Sequence, residues 1–256
     1  MFQLTRLVIN HSKRVRRCGF LSDYLPRSFA ASLPVRERGE LLALGNVRRY
    51  ARNQPLTRVG EQGHEAYLIT DGCVKVYGDS ADGRQVLLAV RMAGDLVGEL
   101  AVLDGQPRSA AARAAGPVTV RAIGAAELAA YLAARPAAAN AIRDSIAARL
   151  RESVQQRIEV NSGAPVIRRL ARALCILGEQ HGVAVADGVL IAAPLTQADL
   201  GSLIVTTEQS IRRALRWLRA AGLVRWEYRR TVITDPAGLR EAATMTVPPS
   251  VTRRSA

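Results

Sequence analysis

The chain has 256 residues, enough for two ordinary domains with cores of their own. Its 48% hydrophobic and 23% charged content is that of a globular protein, and no apolar run reaches the length of a membrane span. The formal net charge is +14, and because Lys13 and Lys75 are the only lysines, 34 of the 36 basic residues are arginines. Such a balance favours a polyanionic partner. Cys18, Cys73 and Cys175 lie far apart, without Cys-x-x-Cys spacing, which argues against an iron–sulfur cluster and against a disulfide-stapled secreted domain. His11, His64 and His181 are isolated, so no metal site is expected.

Residues 1–28 read as a flexible basic extension carrying Lys13-Arg14-Val15-Arg16-Arg17, with no apolar stretch behind it to make a secretory signal. Phe29 to Leu44 is a helical lead-in with Leu33, Leu41, Leu42 and Leu44 apolar. Glycines at Gly60, Gly63, Gly72, Gly78, Gly83, Gly94, Gly98 and Gly105 then punctuate short β-prone runs as far as Ile123. Asp71-Gly72 and Asp82-Gly83 are hairpin signals, Ala93-Gly94-Asp95 is a further turn, and the spacing suits a small β-roll.

Inside that segment lies Gly98-Glu99-Leu100-Ala101-Val102-Leu103-Asp104-Gly105-Gln106-Pro107-Arg108-Ser109-Ala110. Gly98 lets the backbone approach a ligand closely, and Glu99 offers a carboxylate acceptor for a sugar hydroxyl. A short helix starting here presents its first amides to an anion. Arg108 supplies a charge-assisted partner for phosphate, with the Ser109 hydroxyl and the amide of Ala110 beside it.

Two helices are expected next, one opened by Gly124-Ala125-Ala126-Glu127 and one started by Arg135-Pro136. In the second, Ala138, Ile142, Ile146, Leu150, Val154 and Ile158 recur every four residues and make one narrow apolar stripe. Ser162-Gly163-Ala164-Pro165 breaks it, a further helix runs to Gly182, and Asp187-Gly188 marks a weak hairpin.

Thr196 caps the following helix, with Asp199 three residues on as a variant capping box. Val205-Thr206 makes a turn, and Thr207 caps a second helix that Gly222 stops. Ile211, Leu215 and Leu218 form its inner face, while Glu208, Gln209, Arg212, Arg213 and Arg216 project outward. Two strands of a wing follow, Leu223 to Tyr228 and Thr231 to Thr234, linked through Arg229-Arg230. Seven arginines against two glutamates between Thr207 and Arg230 suit a helix in a major groove with phosphates gripped at its flanks.

The Gly98–Ala110 run resembles the phosphate-binding cassette of cyclic-nucleotide-binding domains, and Leu195 to Ile233 resembles the winged helix-turn-helix of the Crp/Fnr superfamily. The resemblance implies an α+β chain: an N-terminal cyclic-nucleotide-binding β-roll (29–135), a long dimerisation helix (136–162), a winged helix-turn-helix (163–240) and a flexible tail (241–256). It implies a ligand site of Gly98, Glu99, Leu100, Arg108, Ser109, Ala110 and Ser153. Ser153 falls where cyclic-AMP-binding members carry a hydroxyl that reaches the base, whereas Val154 replaces a second hydroxyl. Cyclic AMP is therefore the favoured effector and cyclic GMP the other candidate. It implies DNA contacts from Thr196, Thr207, Glu208, Gln209, Arg212, Arg213, Arg216, Arg229 and Arg230. By the pairing rules of the major groove, Arg213 suits a guanine and Gln209 an adenine.

Three departures are visible: Val205 stands where the family usually has glycine, Glu208 where arginine is common, and Gln209 where the prototype has glutamate. The resemblance further implies a cytoplasmic homodimer acting on an operator and on RNA polymerase, with no membrane, no metal and no enzyme activity. Two alternatives stay open on the sequence. One is the same architecture responding to another effector or to none; the other is a nucleotide-binding module that controls a partner protein.

Overall fold

The computed structural model describes residues 24–25, 28–80, 83, 85–227 and 230–245. The expectations for Cys18, the run Lys13 to Arg17, Arg229 and the last eleven residues, 246–256, lie outside them. Helix α1 (Val35–Ala43) follows Pro34, and eight strands come next: β1 (Asn46–Tyr50), β2 (Pro55–Thr57), β3 (Glu65–Asp71), β4 (Cys73–Asp79), β5 (Gln85–Met92), β6 (Leu96–Val97), β7 (Ala111–Ala114) and β8 (Val118–Gly124). Helix α2 (Glu99–Asp104) sits between β6 and β7. The strands form two antiparallel four-stranded sheets, ordered β1-β8-β3-β6 and β2-β7-β4-β5. Leu56, Ile69, Val74, Ala112, Val118 and Val120 fill the space between them. The expected β-roll is present, and aliphatic and alanine side chains make most of its core.

One expected hairpin is not there. β3 and β4 flank Gly72 but belong to different sheets, so Asp71-Gly72 passes the chain from one layer to the other. Gly72 has φ +91°, and a Cβ there would lie 2.4 Å from the Pro117 carbonyl oxygen. The dipeptide supplied a tight bend, but one intervening residue is too few for a two-residue hairpin loop. β4 and β5, on either side of Gly83, do pair as a hairpin, while Asp82 lies outside the described residues.

Helices α3 (Ala125–Ala134) and α4 (Pro136–Asn161) follow the roll, with Pro136 in the first turn of the second. At 26 residues α4 is about 39 Å long. Its apolar stripe has two fates. Ala138 and Ile142 are buried in the roll's helical core and Ile146 packs against that core, whereas Leu150, Val154 and Ile158 are 64%, 46% and 54% exposed. Ile146 therefore serves its own domain, and the C-terminal half of the stripe is left exposed.

After Ser162 come α5 (Val166–His181), β9 (Gly182–Val185), β10 (Gly188–Ile191), α6 (Gln197–Leu203), α7 (Glu208–Ala220), β11 (Val224–Glu227), β12 (Arg230–Ile233) and α8 (Pro236–Ala242). The two hairpins merge into one antiparallel sheet, β11-β12-β10-β9. α8 crosses the expected boundary at 240. Asp235 caps it, and Leu239, Ala242 and Ala243 are buried in the core, so the expected tail does not begin at 241. Ser28 is likewise buried, against Gly94, so the flexible extension does not reach 28. Local residue types do not report where buried contacts end.

Candidate functional site

Gly98 follows β6 in the left-handed region, φ +77°, and a Cβ there would stand 2.3 Å from Arg108 Nη1. Only glycine lets the loop pass directly beneath the guanidinium. Arg108 is buried: Nη1 donates to the Gly98 carbonyl and Nη2 to the Glu65 carbonyl, both at 2.5 Å. Its Cζ stands 5.9 Å from the centroid of the Tyr67 ring. Burial pushes the Tyr67 phenol up to about 12, so the ring is neutral. A guanidinium has five N–H donors, so two backbone acceptors orient this one and leave others for an anion.

Glu99 opens α2, is buried, and pairs with Arg149 of α4. Arg149 is a site residue that the sequence reading missed. The available signal was its position four residues before Ser153, which puts both on one face of the helix. Gly98, Glu99, Leu100, Arg108, Ser109, Ala110, Arg149 and Ser153 together line a cavity of about 630 Å³, within the range of small-molecule sites. β5 supplies one wall through Val86 to Arg91, and Ser202 to Val205 border the far end. Every sequence-predicted ligand residue thus reaches the same space. Arg91 is pushed down to about 10, by burial first and then by the like charge of Arg149. Asp95, Glu99 and Glu152 oppose that shift, so carboxylates already meet part of the positive charge on this wall.

The second region is built on two capped helices. Thr196 and Asp199 form a complete capping box on α6. The Thr196 hydroxyl donates to Asp199 Oδ2 at 2.8 Å and accepts from Asp199 N at 3.1 Å. Its proton is spent on the cap, so the expected DNA contact from this side chain has no donor to make it. Thr207 caps α7 by accepting from Ser210 N at 3.2 Å. Ile211, Ala214, Leu215 and Leu218 are buried, and Glu208, Gln209, Arg212, Arg213 and Arg216 are all exposed on the other side. Arg212 is partly committed, 3.1 Å from Glu208 at i,i+4 spacing. Arg213 and Arg216 have no ion-pair partner among the described residues.

Arg230 differs from expectation: it lies within β12 opposite Glu227, half-buried, rather than in the wing turn. The pairing of β11 with β12 begins at Arg230, and Arg229 lies outside the described residues. Val205, at the turn between α6 and α7, has φ +54°. A β-branched residue is strained there, and Arg169 holds the turn by donating to the Ile204 carbonyl at 2.8 Å.

Residues 47–135 match the cyclic nucleotide-binding domain family, and residues 168–242 match the Crp-like helix-turn-helix domain. The chain is 26% identical over 198 residues to the CRP-like cAMP-activated global transcriptional regulator of Mycobacterium tuberculosis, covering 76% of this chain and 86% of that one. It is 29% identical over 189 residues to the anaerobic regulatory protein of Bacillus subtilis, covering 72% and 78% respectively. FixK2 from Bradyrhizobium japonicum shares the fold, with a TM-score of 0.67 and 21% identity over 80% of this chain and 100% of that one. A cyclic nucleotide-binding domain followed by a Crp-like helix-turn-helix domain, in this fold and with these relatives, places the chain in the Crp/Fnr family of DNA-binding transcriptional regulators.

Proposed function

We propose that the 630 Å³ cavity takes a cyclic nucleotide, cyclic AMP ahead of cyclic GMP, and that its occupancy controls operator binding by a homodimer. The observation that carries this is convergence: Arg108, Glu99 and Ser153, from the loop before β7, α2 and α4, border one space. Arg108 neutralises the cyclic phosphate, the Ser109 hydroxyl adds a donor, and Glu99, steadied by Arg149, accepts from a ribose hydroxyl. Ser153 provides a hydroxyl for the base. The cyclic-AMP-activated relative supports this effector. Homodimerisation is supported by the exposed row Leu150, Val154 and Ile158, which is apolar surface on a long helix.

In the DNA-binding half, α7 enters a major groove. Gln209 and Arg213 read base edges, and Arg212 and Arg216 contact the groove or its phosphates. Thr207 and Glu208 hold the start of the helix at the groove, and Arg230 stiffens the wing from within its strand. RNA polymerase is the partner of the promoter-bound dimer on this reading, and the cytoplasm its place of action. Among the described residues no helix is long and apolar enough to cross a membrane.

Selection of duplexes from a random library by the purified protein, with and without cyclic AMP, tests the whole reading. One enriched, two-fold-symmetric site whose affinity depends on the nucleotide is the expected result. Equal retention of all sequences would leave only charge-driven binding, and the proposal would be withdrawn.

A further inference from the structure

The two halves meet along an apolar seam with an ion pair in it. Cys73, Leu87 and Val90 of β4 and β5 share a core cluster with Leu195, Leu200 and Ile211 of the DNA-binding half. Beside them Lys75 Nζ lies 2.7 Å from Asp199 Oδ2, with the two side chains only 13% and 11% exposed. Lys75 is one of two lysines among 36 basic residues. A compact ammonium suits a closed seam where a planar guanidinium would demand more room and more acceptors.

Both ends of this pair are already engaged in something else. Asp199 Oδ2 also accepts from Thr196 N at 2.7 Å and from the Thr196 hydroxyl at 2.8 Å, so the same oxygen closes the capping box at the start of α6. Lys75 sits in β4 next to Val76, which lines the ligand cavity. Successive residues of a strand face opposite sides. One face of this strand therefore borders the nucleotide site while the other grips the first helix of the helix-turn-helix. The register continues the connection: Val76 pairs with Ala112, another cavity residue, four positions after Arg108.

We propose that Lys75 is the positioning residue that couples the ligand cavity to the helix-turn-helix, through its ion pair with Asp199 at the cap of α6. The inference rests on the cyclic-nucleotide reading of the cavity. Motion of β4 or β7 on occupancy moves the ammonium with the strand, and the cap of α6 follows it. Without the charge pair the seam is held by apolar contacts, which are non-directional and tolerate sliding.

The test uses the full chain and the selected duplex, with duplex affinity measured by fluorescence anisotropy with and without saturating cyclic AMP. The ratio of the two affinities reads the coupling, which in allosteric proteins is typically about 5–150-fold. Lys75→Met is expected to bring the ratio to within about two-fold of one. Calorimetry on Lys75→Met is expected to show cyclic AMP still saturating one site per chain. Asp199→Asn is a second variant, since its amide oxygen can still accept from Thr196 while the charge is gone, and it too is expected to lose the ratio. A parental ratio in Lys75→Met or in Asp199→Asn overturns the proposal, as does a parent that binds both ligands with no ratio at all. A parent that does not bind cyclic AMP removes the reading of the cavity itself, and the coupling falls with it.

Discussion

The proposed function has Arg108 and Arg213 each meet an anion, yet their surroundings differ completely. Arg108 is buried, held by two backbone carbonyls and stacked near Tyr67, whereas Arg213 stands exposed on α7. The proposed nucleotide site is pre-oriented, and its key side chain is also part of the fold. The recognition surface is an open array supported from behind by Ile211, Leu215 and Leu218. The difference teaches where binding and stability are separable: together in the roll, apart on α7.

Arg108→Ala is expected to give the largest effect because it strikes both properties. Removing a charged hydrogen bond to phosphate should cost about 1.5–3 kcal/mol, roughly 10–150-fold in nucleotide affinity. The carbonyls of Gly98 and Glu65 also lose their donors, so the thermal midpoint should fall. Loss of affinity with an unchanged melting curve would show that the buried contacts are not structural. Leu150→Glu should follow in size, converting a dimer to a monomer in sedimentation while each chain stays folded, since Leu150 is 64% exposed. Ile146→Glu should instead destabilise the roll, because Ile146 packs on its core. Equal melting of the two variants would contradict the division of the stripe.

Arg213→Ala should cost about 1–3 kcal/mol on the selected duplex and relax specificity at one base pair. Its melting curve should match the parent's, since no described contact is lost. Equal losses on matched and scrambled duplexes would mean that Arg213 only grips phosphate. Val205→Gly should raise stability by about 1 kcal/mol by relieving the φ of +54° at the helix-turn-helix turn. A lower midpoint would show that the exposed Val205 side chain makes a contact worth more than the strain.

The smallest expected effect is a pH dependence at the junction of the halves. His181 ends α5, is buried, and neither ring nitrogen has a well-formed hydrogen bond. Burial holds its pKa below the ordinary 6.5, nearby Arg91 adds to that, and Asp95 and the Val90 carbonyl oppose it. The folded state thus prefers the neutral ring. Its contribution is complete above pH 6.5 and is lost as pH falls from there towards the depressed value. Thermal midpoints should therefore decline as pH falls below about 6.5, and His181→Phe should flatten the decline. An unchanged slope in that variant would assign the decline to other groups.

How much of this was legible in sequence follows the range of the interactions involved. The caps at Thr196 and Thr207 and the buried face of α7 depend on neighbours within one or two helical turns, and the pattern of types shows them. Asp71-Gly72 signals a bend, but whether β4 then pairs with β3 depends on β7 and β8, some forty residues away. Arg149 opposite Glu99, and Lys75 opposite Asp199, become partners only when distant elements close on each other. Charge on a helix face or strand says that a partner is wanted without saying which. Val205 was visible as a departure from a family pattern, and its left-handed backbone gives that departure a physical consequence.

The most direct test of the central claim is calorimetric titration of the purified parent with cyclic AMP and cyclic GMP, beside Arg108→Ala. One saturable site per chain, tighter for cyclic AMP and weakened roughly 10-fold or more in the variant, is the predicted result. Absence of binding by either nucleotide, or equal binding by parent and Arg108→Ala, would contradict the assignment of the cavity.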